Sequence, residues 1–113
     1  QFNALHLAVT FGCLNIVTLL LKKNYKNINI NAQVGDKNTH GLSGFTSLHL
    51  ASRYGDINLV NLLLKNGANV LIKTSPNNKL WPNDLASEVA TDEKVKKLLW
   101  QKEKDVANLK IIS

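Results

Sequence analysis

Ser47-Leu48-His49-Leu50-Ala51 restates, 43 residues later, the segment Ala4-Leu5-His6-Leu7-Ala8. Six residues after its histidine each copy has a glycine, Gly12 or Gly55. An apolar block follows in each, Ile16-Val17-Thr18-Leu19-Leu20-Leu21 or Leu59-Val60-Asn61-Leu62-Leu63-Leu64. Agreement at so many fixed offsets marks an internal repeat, and units of this size stack because none buries its apolar face alone. The spacing therefore predicts a solenoid, an architecture that more often offers a binding surface than a catalytic pocket.

The second copy carries the clearest helix signals. Gly44-Phe45-Thr46 reads as a turn, with Thr46 capping a helix from Ser47 to Tyr54 and Gly55 ending it. A second helix is predicted from Ile57 to Lys65, with Asp56 at its start and Asn66-Gly67 at its end. Leu59, Val60, Leu63 and Leu64 form its apolar stripe. The first copy repeats the plan over Asn3 to Phe11 and Asn15 to Lys23. A third, degenerate copy begins at Trp81-Pro82-Asn83-Asp84-Leu85-Ala86, with Pro82 in the first helical turn, Asp84 in the histidine's place and Ala90 in the glycine's. Its second helix starts near Thr91-Asp92 and carries Val95, Leu98 and Leu99.

On Gly44, Thr46, Leu48, His49, Ala51, Gly55, Val60, Leu63, Leu64, Gly67 and Ala68, the chain resembles the ankyrin repeat over about residues 2–101. Ser47 and Ala4 stand where that pattern usually has proline. The resemblance implies an all-α solenoid of stacked antiparallel helix pairs with extended turns. The chain is expected to be one domain, 1–113, with repeats at about 1–33, 42–74 and 77–101, and a cap or tail over 102–113. A polar, flexible insertion is expected over about 33–43. The third repeat's departures fit a cap whose outer face meets water.

A chain of 113 residues suits one domain, and 44% hydrophobic content argues against disorder. No apolar run approaches the length of a membrane span. The start at Gln1 and the lack of methionine suggest a piece of a longer protein. One cysteine, Cys13, allows no internal disulfide and points to an intracellular, cytoplasmic setting, with the nucleus as the alternative. The net charge of +6 favours encounter with an acidic partner. Neither a nucleic-acid reader motif nor aromatics interleaved with the lysines are present, so no nucleic acid is expected.

His6 and His49 occupy the same slot in successive repeats, too far apart to share a metal ion, and no ligand spacing accompanies them. The resemblance gives them a structural task, tying the helix start to a turn, and makes Gly12, Gly55 and Gly67 parts of the scaffold motif. No nucleophile paired with a base is suggested, nor a phosphate-binding loop, so the chain is read as non-catalytic, without cofactor or metal.

By resemblance, partners bind the turn tips and the concave face of the first helices. Groove positions are Leu7, Thr10 and Phe11, then Leu50, Arg53 and Tyr54, then Leu85, Glu88 and Val89, with Phe45, Ser47, Leu80 and Trp81 on the turns. Aromatic and arginine side chains most often carry interface energy, which nominates Phe11, Phe45, Arg53, Tyr54 and Trp81, with His40 from the insertion. The structural reading sets Phe11 against an adjoining repeat and Trp81 in the core. The expected function is a monomeric protein–protein interaction module that binds a protein or peptide. The alternative is an intramolecular docking or spacer array for a catalytic or effector domain elsewhere in the parent protein. The apolar residues Val106, Leu109, Ile111 and Ile112 support that alternative unless they lie back on the third repeat.

Overall fold

Asn3, Thr46 and Asp56 cap helix starts, and Gly12, Gly55 and Gly67 follow the ends of the same helices. The computed structural model describes residues 2–22, 27–37 and 41–112, with side chains as far as residue 109. The described residues form α1 (Ala4–Thr10), α2 (Leu14–Lys22), α3 (Ser47–Arg53), α4 (Ile57–Lys65), α5 (Ala86–Val89) and α6 (Glu93–Ile112), and contain no strand. Asn3 accepts the His6 N–H into α1 at 2.8 Å, and Asp56 accepts the Leu59 N–H into α4 at 3.2 Å. Gly12 and Gly55 take positive φ after α1 and α3 and close each with paired backbone bonds. One pair is Cys13 N–H to the Ala8 carbonyl and Gly12 N–H to that of Val9; its counterpart is Asp56 to Ala51 and Gly55 to Ser52. Gly67 ends α4 in the same way.

Three-residue connections join α1 to α2, α3 to α4 and α5 to α6, so the chain folds as three helix pairs. Packing runs along two layers, α1 on α3 on α5 and α2 on α4 on α6. Helices this short are not stable alone, so burial between pairs supplies most of the stability. The continuous core includes Leu5, Val9 and Val17 from the first pair, Leu48, Leu50, Leu59 and Leu63 from the second, and Val89, Val95 and Leu99 from the third.

His6 and His49 each join a helix start to a later turn. The buried His49 ring accepts at Nδ1 from the Thr46 N–H (3.1 Å) and hydroxyl (2.8 Å), so its proton sits on Nε2, which donates to the Asp84 carbonyl at 2.9 Å. His6 does the same, with Asn3 N–H at 3.0 Å on Nδ1 and the Ala32 carbonyl at 2.8 Å from Nε2. Neither ring has a lone pair or proton left over for a metal.

The third pair departs from the expected register. Pro82 and Asn83 form a turn, with Asn83 at φ 53°, and helix begins only at Ala86. Glu88, rather than Asp84, takes the histidine's place: its Oε1 accepts the Leu85 N–H at 2.8 Å, as His49 Nδ1 accepts that of Thr46. Backbone pairing fixes this alignment, since Thr74 N–H donates to the Asp84 carbonyl as Val34 N–H donates to that of Phe45, both at 2.8 Å. Ala90 has φ −66° and ψ 140°, so no glycine is needed there. α6 runs on through the expected tail to Ile112, because residues 101–112 contain neither glycine nor proline; Gln101 bonds Asp105 at 3.0 Å, and Val106 packs on the core.

Val34 lies in the stretch expected to be a flexible insertion but belongs to the scaffold. Its side chain is buried, and its N–H and carbonyl pair with the Phe45 carbonyl and Gly44 N–H, each at 2.8 Å. Gln33 Nε2 bridges the Gly44 carbonyl (2.8 Å) and the Lys73 carbonyl (2.9 Å), linking successive turns.

Burial lowers the His49 pKa from 6.5 to about 4, against the smaller upward pull of its bond to Asp84. Burial lowers that of His6 as well. Between these limits the unfolded chain takes up protons that the folded chain refuses, so stability is full above pH 6.5 and declines as pH falls toward 4. For His49 alone the loss reaches about 3 kcal/mol. Urea titrations from pH 7.5 to 4.5 are expected to show this decline, and His49→Gln to show a lower midpoint with a shallower dependence.

A Cβ at Gly44, where φ is 80°, would stand 2.0 Å from the Ser75 amide nitrogen and 2.7 Å from the Thr74 carbonyl carbon. Gly12 has φ 68° but nothing within 4 Å of the same position. Gly44→Ala is therefore expected to cost about 3 kcal/mol or more, Gly12→Ala only about 1 kcal/mol, measured by urea denaturation.

Candidate partner-binding surface

Trp81 is placed by its backbone before its ring touches anything. Asn78, itself buried, accepts the Leu80 and Trp81 N–H groups on Oδ1, each at 3.0 Å. Its Nδ2 donates to the carbonyls of Gly41 (2.9 Å) and Ser43 (3.0 Å) in the preceding turn. Thr74 completes the clamp: its hydroxyl donates to the Trp81 carbonyl and accepts the Asp84 N–H at 2.8 Å. The third turn is thus tied to the second by side chains that the repeat pattern does not mark.

The Trp81 ring meets Phe45 edge-on, with centroids 5.5 Å apart, and the Arg53 guanidinium lies 4.4 Å from the Trp81 centroid. Phe45 in turn contacts the His49 ring at 5.4 Å. Arg53, Trp81, Phe45 and His49 therefore form a continuous stack from the half-buried surface to the core. The cation over the indole face gains electrostatically from the ring quadrupole and is held in one orientation.

The nominated residues divide by burial. Phe45 is 0% exposed and is withdrawn from the contact surface: its ring fills the core beneath Trp81. Leu50 and Val89, expected along the groove, and Ser47, expected on a turn, are buried as well, because neighbouring pairs cover them. Arg53 and Trp81 are half-buried and touch each other. Tyr54 follows Arg53 as the C-cap of α3 and is 53% exposed. Phe11, the C-cap of α1 and its counterpart, is 76% exposed. Leu7 and Leu80 are also exposed. His40 lies outside the described residues.

The described lysines are not part of this stack. Lys94, Lys97, Lys102 and Lys104 are exposed on α6, and Lys96 pairs with Glu93 at 3.7 Å. A shallow groove of about 430 Å³ lies between α6 and the turn after α4, lined in part by Asn31, Asn69, Lys102, Asp105 and Val106. None of the nominated residues falls in it. Among the described residues no helix is long and apolar enough to cross a membrane.

Stacked helix pairs, buried inter-repeat histidines and outward-facing helix ends define a helical repeat protein. The family model for ankyrin repeats (3 copies) matches residues 1–74, and the chain belongs to the ankyrin repeat family. Ankyrin repeats are generally protein–protein interaction modules and typically non-catalytic. No curated protein matches the chain.

Trp81→Ala is expected to uncover Phe45 and lower stability by about 2–3 kcal/mol. Arg53→Ala, which removes only a surface cation–π contact, is expected to cost no more than about 1 kcal/mol. Urea denaturation followed by circular dichroism checks both values; equal costs would show that Trp81 contributes no more to stability than the cation resting on it.

Proposed function

We propose that the chain is an intracellular, non-catalytic recognition module that binds a protein or peptide through the side chains around the ends of α1 and α3 and the third turn. The observation that carries this reading is the pairing of Arg53 with Trp81 beside the exposed ring of Tyr54. A guanidinium oriented by an indole loses little conformational freedom on binding, and its N–H donors remain at the edge for a carboxylate or a peptide carbonyl. Tyr54 and Phe11 add large apolar area at low entropic cost, the chemistry found at interface hot spots. With a net charge of +6 the chain attracts an acidic segment and speeds its arrival. The third helix pair closes the array as a cap. Val106, seated on the core, removes one of the apolar side chains that favoured intramolecular docking.

Selection of binders from a peptide-display library tests the surface directly. Acidic peptides are expected to dominate, and Arg53→Glu/Tyr54→Ala is expected to weaken the selected peptides at least about tenfold by calorimetry. Undiminished binding to the folded double variant would move the site elsewhere on the molecule.

A further inference from the structure

Three corresponding positions are buried in the second and third helix pairs and open in the first. At the first helical position, Ser47 and Ala86 are buried while Ala4 is exposed. At the fourth, Leu50 and Val89 are buried while Leu7 is 47% exposed. At the third position of the second helix, Leu59 and Val95 are buried while Ile16 is 50% exposed. The later pairs bury these positions where α1 and α2 pack on α3 and α4, and where those pack on α5 and α6. Their counterparts on the first pair are the same kind of surface without its neighbour.

The opposite end of the stack has different chemistry. The slot filled by buried His6 and His49 holds exposed Glu88 in the third pair. The slot filled by buried Val17 and Val60 holds Lys96, paired with Glu93. One end of the solenoid is therefore finished in charge, whereas the other continues the apolar stacking interface.

From this asymmetry we infer that the face bearing Ala4, Leu7 and Ile16 is an internal stacking face, covered in the working protein by a further ankyrin-type helix pair in the same register. The occupant presents an apolar surface of the kind that His6, Val9 and Val17 present to the second pair. A second copy of the chain stacked head to tail does not supply it, because its available end carries Glu88 and Lys96. The occupant is thus a preceding repeat.

The test fuses a copy of residues 45–83, one helix pair with its turn, ahead of Phe2. The fusion is expected to unfold in urea in a single transition, with a higher midpoint and a slope larger by roughly a third, following the added buried surface. Leu7→Lys/Ile16→Lys is expected to abolish that gain in the fusion while leaving the helical signal and midpoint of the 113-residue chain little changed. A separate transition for the added unit in the unsubstituted fusion overturns the inference. So does unfolding of the 113-residue chain by the two lysines, which would mean that Leu7 and Ile16 already belong to its core. A dimer of that chain, seen by sedimentation and dissolved by the same lysines, assigns the face to a second copy instead.

Discussion

The structure depends on an imidazole that must stay neutral. His49 uses one nitrogen as acceptor and the other as donor, so a single side chain serves the start of α3 and a carbonyl of the third turn. Lysine could only donate at that position and a carboxylate could only accept. A protonated ring would lose the bonds from Thr46 while carrying a charge into the core, and such burial is costly without a counter-ion. His6 makes the equivalent link to Ala32. The repeats are thus joined by directional bonds as well as by apolar area, and the bonds select one register among those that the leucine stripes alone would allow.

The stack running outward from His49 extends that constraint to the surface. Phe45 rests on His49, Trp81 on Phe45 and Arg53 on Trp81. Any group that binds the exposed edge of Arg53 therefore meets a side chain whose support reaches the inter-repeat bond. Asn78 and Thr74 hold the Trp81 backbone from behind, so the turn is fixed by side-chain bonds as well as by its own backbone. This is the arrangement that a recognition surface on a scaffold of short helices needs, because contact residues are no better placed than the groups behind them.

The repeated segment made the helix pairs legible, since histidine, glycine and leucines recur at fixed offsets in the first two copies. The third pair was harder to read. A leucine replaces the capping Thr46 and Glu88 replaces His49, so composition alone favoured the earlier Pro82-Asn83-Asp84 start. The helix start at Ala86, the Leu85–Glu88 bond and the Thr74–Asp84 backbone pairing reveal the shift. Phe45 looked like a contact residue because turn tips are usually exposed, and its burial depends on Trp81, 36 positions away in the sequence. Gln33 and Asn78 carried no signal, because amide side chains are common in loops and their partners are backbone groups of distant turns. Sequence periodicity locates what repeats; the bonds that distinguish one repeat from the next have no period.

The Val34 rung also bears on how the chain accommodates its longest turn. The Gly44 N–H donates to the Val34 carbonyl across the mouth of this turn, and within it the Gly41 and Ser43 carbonyls accept from Asn78. A change of length between Val34 and Gly41 is expected to leave the spacing of the helix pairs untouched, because the rung and the Asn78 bonds fix the chain on either side of it. Doubling that length adds only about 0.6 kcal/mol of closure entropy. The turn is held at both ends, by the rung at Val34 and by the bonds from Asn78 to Gly41 and Ser43, so changes of length are expected to be absorbed between Val34 and Gly41 while its last residues stay fixed to the third turn.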